Sequence, residues 1–178
     1  TTLHGEGLQH QDGHSLLLAS TVPACRAYDP AFAYEVATIV REGIKEMYGE
    51  KPSDVFFYLT LYNENYQMPA ISNSPTITSE IMQGLYLWRQ APNTKYKATI
   101  LFSGSAHAAA SAAAAELFER YEVGCELWSA TSYKTLREEA LEVERWNRLH
   151  PAQTARESIV AKLLNNGDGP VVAVSDFM

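Results

Sequence analysis

The chain has 178 residues, 46% of them hydrophobic and 20% charged, with a formal net charge of −7. That length suits one ordinary domain or two small ones, and the apolar content supports a packed core over a disordered chain. The acidic balance argues against nucleic acid and against an anionic membrane surface as partners, because both require a basic face.

The two cysteines, Cys25 and Cys125, are a hundred positions apart and form neither a disulfide framework nor a zinc knuckle. They read as buried thiols in a reducing, cytoplasmic setting. No apolar stretch approaches the roughly 18 residues of a membrane span. Thr1 opens directly onto a polar, glycine-rich loop, so a fragment of a longer protein is expected.

Residues 1–14 carry Gly5, Gly7 and Gly13 with His4, His10 and His14, and have no apolar period, so they read as a loop. Leu16–Ala19 is a short apolar run, and Ala24–Tyr28 fits a buried strand. Asp29-Pro30 is a helix start, with aspartate as cap and proline at the first helical position. Phe32, Val36, Ile39, Val40, Ile44 and Met47 continue it at helical spacing, and Gly49 ends it. Val55–Tyr62 is a continuous β-branched and aromatic run bounded by Pro52 and Asn63, which favours a buried strand. Residues 63–95 are polar and proline-bearing, with one amphipathic piece from Ile81 to Trp88, and read as a boundary region. A regular alternation follows: a strand at Thr99–Phe102, a turn at Ser103–Ser105, a helix over Ala106–Tyr121 and a strand at Cys125–Ser129. Helices over Tyr133–Leu149 and Arg156–Asn165 and a strand at Val171–Val174 complete it. This order implies parallel pairing with right-handed crossovers.

His4, His10 and His14, with Glu6 and Asp12 between them, are metal-type ligands, but their spacing matches no zinc signature. A glycine-flanked loop histidine can equally face a cleft as an acid, base or hydrogen-bond donor. Gly167-Asp168-Gly169 follows Asn165-Asn166 in the reverse of the order used by diphosphate–magnesium motifs, and reads as a turn. Ser103-Gly104-Ser105 matches no phosphate loop and no nucleophile elbow; a serine helix cap explains it. His107 near the start of that helix can approach the serines but completes no triad. His150 before Pro151 sits at a helix end, where a cation is mildly favoured. Asn63-Glu64-Asn65-Tyr66 follows a strand, where α/β proteins often place sites.

The segments TTLHGEGLQHQDGHS, AYDPAFAYEVATIVREGIKEMYGE, FFYLTLYNENYQMPA, ELWSATSYKTL and ERWNRLHP together resemble successive parts of the homodimeric bacterial pyruvate dehydrogenase decarboxylating component. The likeness runs from Thr1 to Met178, with the first block and YNENYQMPA its most specific parts. The family is transketolase-like and uses thiamine diphosphate with Mg2+.

The resemblance implies an α/β fold. Residues 1–62 would be the end of a pyrimidine-binding domain, 63–95 a linker or boundary region, and 96–178 a largely parallel, three-layer transketolase C-terminal-like domain, incomplete at its end. It implies that His10 lies in the cofactor cleft near the thiazolium carbon and the pyruvate carboxylate, with Gln9 supporting it and Gly5 and Gly7 shaping the loop. It gives no role to Glu6, Asp12 or His14. No metal ligand is expected in this chain, and the GDG…NN motif and the activating glutamate would lie upstream. The implied parent activity is oxidative decarboxylation of pyruvate with reductive acetylation of the lipoyl domain of dihydrolipoyl acetyltransferase, by a cytoplasmic homodimer. The segment alone is expected to be inactive and to bind no cofactor. Two other readings remain: a non-catalytic dimerisation or docking remnant, and a related thiamine enzyme acting on another 2-oxo acid or a ketose.

Overall fold

The computed structural model describes residues 13–63, 65–165 and 169–177. A short helix α1 (Ser15–Ala19) leads into strand β1 (Cys25–Tyr28), helix α2 (Ala33–Tyr48) and strand β2 (Phe56–Leu59). The two strands pair in parallel, Cys25 opposite Phe56 through Tyr28 opposite Leu59.

Helix α2 begins later than its sequence suggests. Its first helical residue is Ala33, not Pro30, and Asp29 does not cap it. The Glu35 carboxylate does so from inside the first turn, accepting from the amides of Ala31 (2.6 Å) and Phe32 (3.0 Å). The Phe32 amide stands at the N-cap, where helix donors lack intrahelical partners, and Ala31 immediately precedes it.

Strand β2 is shorter and more open than the apolar run Val55–Tyr62 implied. It covers four residues, and Phe56 is 49% exposed. Its pairing ends at Thr60, whose amide donates to the Tyr28 carbonyl at 3.1 Å. Beyond that point Thr60 and Tyr62 turn their hydroxyls onto Asp29.

The stretch read as boundary contains two elements, helix α3 (Ile77–Gln83) and strand β3 (Tyr86–Arg89). Gly84 separates them at φ +98°, and a Cβ there would lie 2.7 Å from the Ser132 carbonyl oxygen. Helical and extended residues adjoin within Ile81–Trp88, which defeats any single period.

Next come β4 (Tyr96–Phe102), a 3-10 turn (Gly104–Ala106), α4 (His107–Tyr121), β5 (Val123–Ser129), α5 (Tyr133–Leu149), α6 (Ile159–Leu164) and β6 (Val171–Val174). Helix α6 is shorter than Arg156–Asn165; Ser158 caps it by accepting from the Ala161 amide. Ser103 caps nothing with its side chain, contrary to the sequence reading. Its hydroxyl is directed at Ser175 Oγ, 3.3 Å away.

The sheet order is β3-β5-β4-β6. The alternation correctly implied that β4, β5 and β6 are parallel. It did not imply β3, which adds an antiparallel edge beside β5. One face of this sheet packs Ile100, Phe102, Cys125 and Leu127 against Ala106, Ala110 and Ala114 of α4. The small alanines let the helix lie close. The other face packs Leu101 and Trp128 against Leu136 of α5 and residues of α6. Helices therefore cover both faces, which gives three layers. Both cysteines are free and buried.

Candidate functional site

The sequence-derived site residues Gly5, Gly7, Gln9 and His10 lie outside the described residues, as do His4, Glu6 and Asp12. His14 is described; it is exposed and precedes α1 as its N-cap. Of the GDG turn, only Gly169 is described. A Cβ there would lie 1.9 Å from the Lys97 carbonyl oxygen, so close backbone approach explains that glycine.

The described residues build a polar node where the strands end. The parallel strands run the same way, so their carboxyl ends emerge on one side. Asp29 follows β1 at its centre and is 2% exposed. Its amide donates to the Thr131 carbonyl just past β5 (2.8 Å), and its carbonyl accepts from Gly104 just past β4 (3.1 Å). Its Oδ1 accepts from Thr60 and Tyr62, both past β2. Gly104 has φ +49°, and a Cβ there would lie 2.6 Å from Asp29 Oδ1 and 2.3 Å from the Tyr62 hydroxyl. Only glycine fits that approach. After β6, Ser105 donates to Asp176.

Burial pushes the Asp29 carboxyl above the ordinary carboxylate range, while the Ser103, Thr60 and Tyr62 hydroxyls pull it down and Asp176 adds to the rise. Its second oxygen, Oδ2, has no hydrogen-bond partner among the described residues.

A second buried acid lies on the far side of the same junction. Glu35 is 0% exposed. Besides the two amides at the start of α2, it accepts from the Tyr86 hydroxyl of β3 (2.6 Å) and the Ser129 hydroxyl of β5 (2.7 Å). Burial raises its pKa and the hydrogen bonds oppose the rise. Glu35 thus bonds the helix of the first sheet to two strands of the second.

The NENY segment comes back to the same region. Tyr66 donates to the Ala31 carbonyl, and its ring lies 4.3 Å from that of His107. His107 also packs edge-on to Phe32 at 5.3 Å. Its role here is aromatic packing, and the serines beside it are directed at Ser175 and Asp176. A groove of about 720 Å3 runs between α2 and this segment, lined by Phe32, Val36, Val40, Tyr62, Tyr66 and Met68. His150 caps α5, with its Nδ1 2.8 Å from the Trp146 carbonyl oxygen.

Sequence reasoning missed Asp29, Tyr62, Glu35 and Tyr86 as a connected set. The available signal was position: Asp29 and the Thr60–Tyr62 pair directly follow apolar strand runs. Among the described residues, no group of three or more His, Cys, Asp and Glu stands together as a metal site.

Residues 1–69 match the family model for the pyruvate dehydrogenase E1 component middle domain. The whole chain is 50% identical to a pyruvate dehydrogenase E1 component of Mycolicibacterium smegmatis, of which it spans 19%. It is 44% identical, again over its whole length, to that of Escherichia coli, of which it spans 20%. The chain therefore covers about a fifth of these relatives' length. Among solved structures, a transketolase variant from Pichia stipitis superposes over 97% of this chain and 21% of its own, with a TM-score of 0.64 and 18% identity. Transketolase from Leishmania mexicana does so over 97% and 21%, with a TM-score of 0.61 and 16% identity. At that identity the likeness speaks to fold, and the fold is transketolase-like.

Proposed function

We propose that this chain is one segment of a pyruvate dehydrogenase E1 component and that it serves thiamine-diphosphate-dependent oxidative decarboxylation of pyruvate within a larger enzyme. The observation that carries the proposal is an overall identity of 44–50% in matches that span the whole chain, the loop GEGLQHQDGH within them. The middle-domain match over residues 1–69 supports placing that loop at the end of a pyrimidine-binding domain. Residues 96–178 then form most of a C-terminal domain, as their three layers and mainly parallel sheet suit.

In this reading the cofactor supplies carbanion stabilisation, and the protein supplies orientation and charge. On the same reading, the diphosphate and Mg2+ end of the cofactor is held by other parts of the enzyme. This chain contributes His10, whose imidazole donates a hydrogen bond to the substrate carboxylate or passes a proton near neutral pH. Gln9 orients it, and Gly5 and Gly7 let the loop approach the ligand closely. The acyl acceptor is the lipoyl group of the acetyltransferase component, and the enzyme works as a homodimer. Asp29 and Glu35 serve by fixing one sheet against the other.

The test is to incubate the whole enzyme with pyruvate, thiamine diphosphate, Mg2+ and an isolated lipoyl domain, and to weigh the domain by mass spectrometry. Acetylation with pyruvate is expected. Acylation only from another 2-oxo acid, or turnover only of a ketose, would replace this reading with the related-enzyme alternative.

A further inference from the structure

On the α4 side of the second sheet, one strip is left uncovered by the described residues. Four strands at roughly 4.8 Å spacing give a face wide enough for about two helices packed roughly 10 Å apart. Helix α4 is one of them and lies over β4 and β5. Beside it a groove of about 860 Å3 runs over β6. Ile100 of β4 and Val172 and Val174 of β6 form its floor, and Ile100 and Val172 are register partners. Val172 is 51% exposed. The wall is the flank of α4, where Ala109, Ala113 and Leu117 follow one another on successive turns.

The surroundings say what covers this strip. Ala109 and Ala113 are exposed and small, so a neighbouring helix can pack close against α4. Strand β6 is the edge of its sheet and reads VVAV, without a charge or a proline. Proteins blunt such an edge with charge or cover it, so β6 has the character of an interior strand. Lys95 and Lys97 border the groove at the start of β4, and neither forms an ion pair among the described residues. Helix α4 returns to that end, because the strands it joins, β4 and β5, are parallel. A second helix running alongside α4 places its carboxyl end, the negative end of its dipole, beside the two lysines. The chain spans about a fifth of its relatives, so most of their polypeptide lies outside it and can supply such a helix.

We propose that the groove seats a helix from another segment of the same polypeptide, with an apolar stripe against Val172 and Ala113 and its carboxyl end at Lys95 and Lys97. This rests on the reading above that the chain is one segment of a larger enzyme. It excludes a second copy of this surface and a separate partner protein as the occupant.

The test is made on the whole enzyme. Leu117→p-benzoylphenylalanine is irradiated, and the cross-linked peptides are identified by mass spectrometry. A cross-link to a peptide outside these 178 residues, in a product with the mass of a single subunit, is expected. Ala113→Cys, a small change at a wall position, is alkylated in parallel and read at that peptide. Its labelling is expected to be at least about 100-fold slower in the native enzyme than in urea. Labelling at the unfolded rate overturns the proposal. So does a product of two-subunit mass, a cross-link to another protein, a cross-link confined to these residues, or no cross-link at all. The readout is a covalent map and needs no turnover, so it holds or fails separately from pyruvate-dependent acetylation of the lipoyl domain.

Discussion

The Tyr86 hydroxyl donates to Glu35 Oε1 at 2.6 Å and so ties the start of α2 to the edge strand β3. The bond joins residues 51 positions apart. It is one of four that converge on a single carboxylate, with amides on one oxygen and hydroxyls on the other. The arrangement distinguishes two substitutions. The amides can only donate, whereas the Tyr86 and Ser129 hydroxyls can reverse. Glutamine therefore satisfies the site, with its oxygen on the amides and its NH2 on the hydroxyls. Glu35→Gln is expected to fall within about 1 kcal/mol of the parent near pH 5. Glu35→Ala leaves the amides unpaired beside a void and is expected to cost about 3 kcal/mol or more. Urea unfolding of both variants measures the difference.

Stability should also respond to pH through the two buried acids. Asp29 and Glu35 have folded-state pKa values above their unfolded ones, burial being the leading cause in each. The folded chain then holds protons that the unfolded chain has released. Stability from these groups is full below the unfolded value, about 4, and is lost as pH rises through the folded values. Glu35→Gln removes one contribution. Its stability relative to the parent is expected to improve steadily above pH 4 in paired urea titrations. A relative stability that worsens with rising pH would contradict the burial argument.

Gly104 tests the packing of the strand-end node. Alanine there would meet both the left-handed backbone at φ +49° and the crowding by Tyr62 and Asp29. Gly104→Ala is expected to destabilise by about 2 kcal/mol or more, with a matching fall in the urea midpoint. Because Tyr62 supplies part of the overlap, Tyr62→Phe in the same chain should recover a fraction of the loss.

These cases show what the sequence makes legible. Strand–helix alternation and alanine-rich spacing mark β4 through β6 and their helices, because each element there has its own period. Asp29-Pro30 misled because a local cap and a long-range hydrogen-bond acceptor look alike in sequence. Asp29 bonds residues about 31 and 33 positions away, and nothing nearby announces them. β3 was hidden because Gly84 switches the backbone in the middle of an apolar run. The candidate loop stands out in the sequence through its glycines and histidines and through family likeness, and it lies outside the described residues. The strand-end node was not legible, because it assembles only when five strands end together.

The isolated chain provides a further test. The chain spans about a fifth of its relatives, and its likeness to the family leaves the GDG…NN motif and the activating glutamate to segments upstream. Calorimetric titration with thiamine diphosphate and Mg2+ is expected to show no binding at micromolar concentration. A micromolar dissociation constant would mean that this segment carries a diphosphate site of its own.

The most direct test of the account is His10→Ala in the whole enzyme, assayed as pyruvate-dependent acetylation of the lipoyl domain with thermal stability measured in parallel. A fall of about 100-fold in kcat/KM with an unchanged melting temperature is expected for a group that donates to the substrate or moves its proton. Activity within about twofold of the parent would remove His10 from the reaction and, with it, the assignment of this loop to the cofactor cleft.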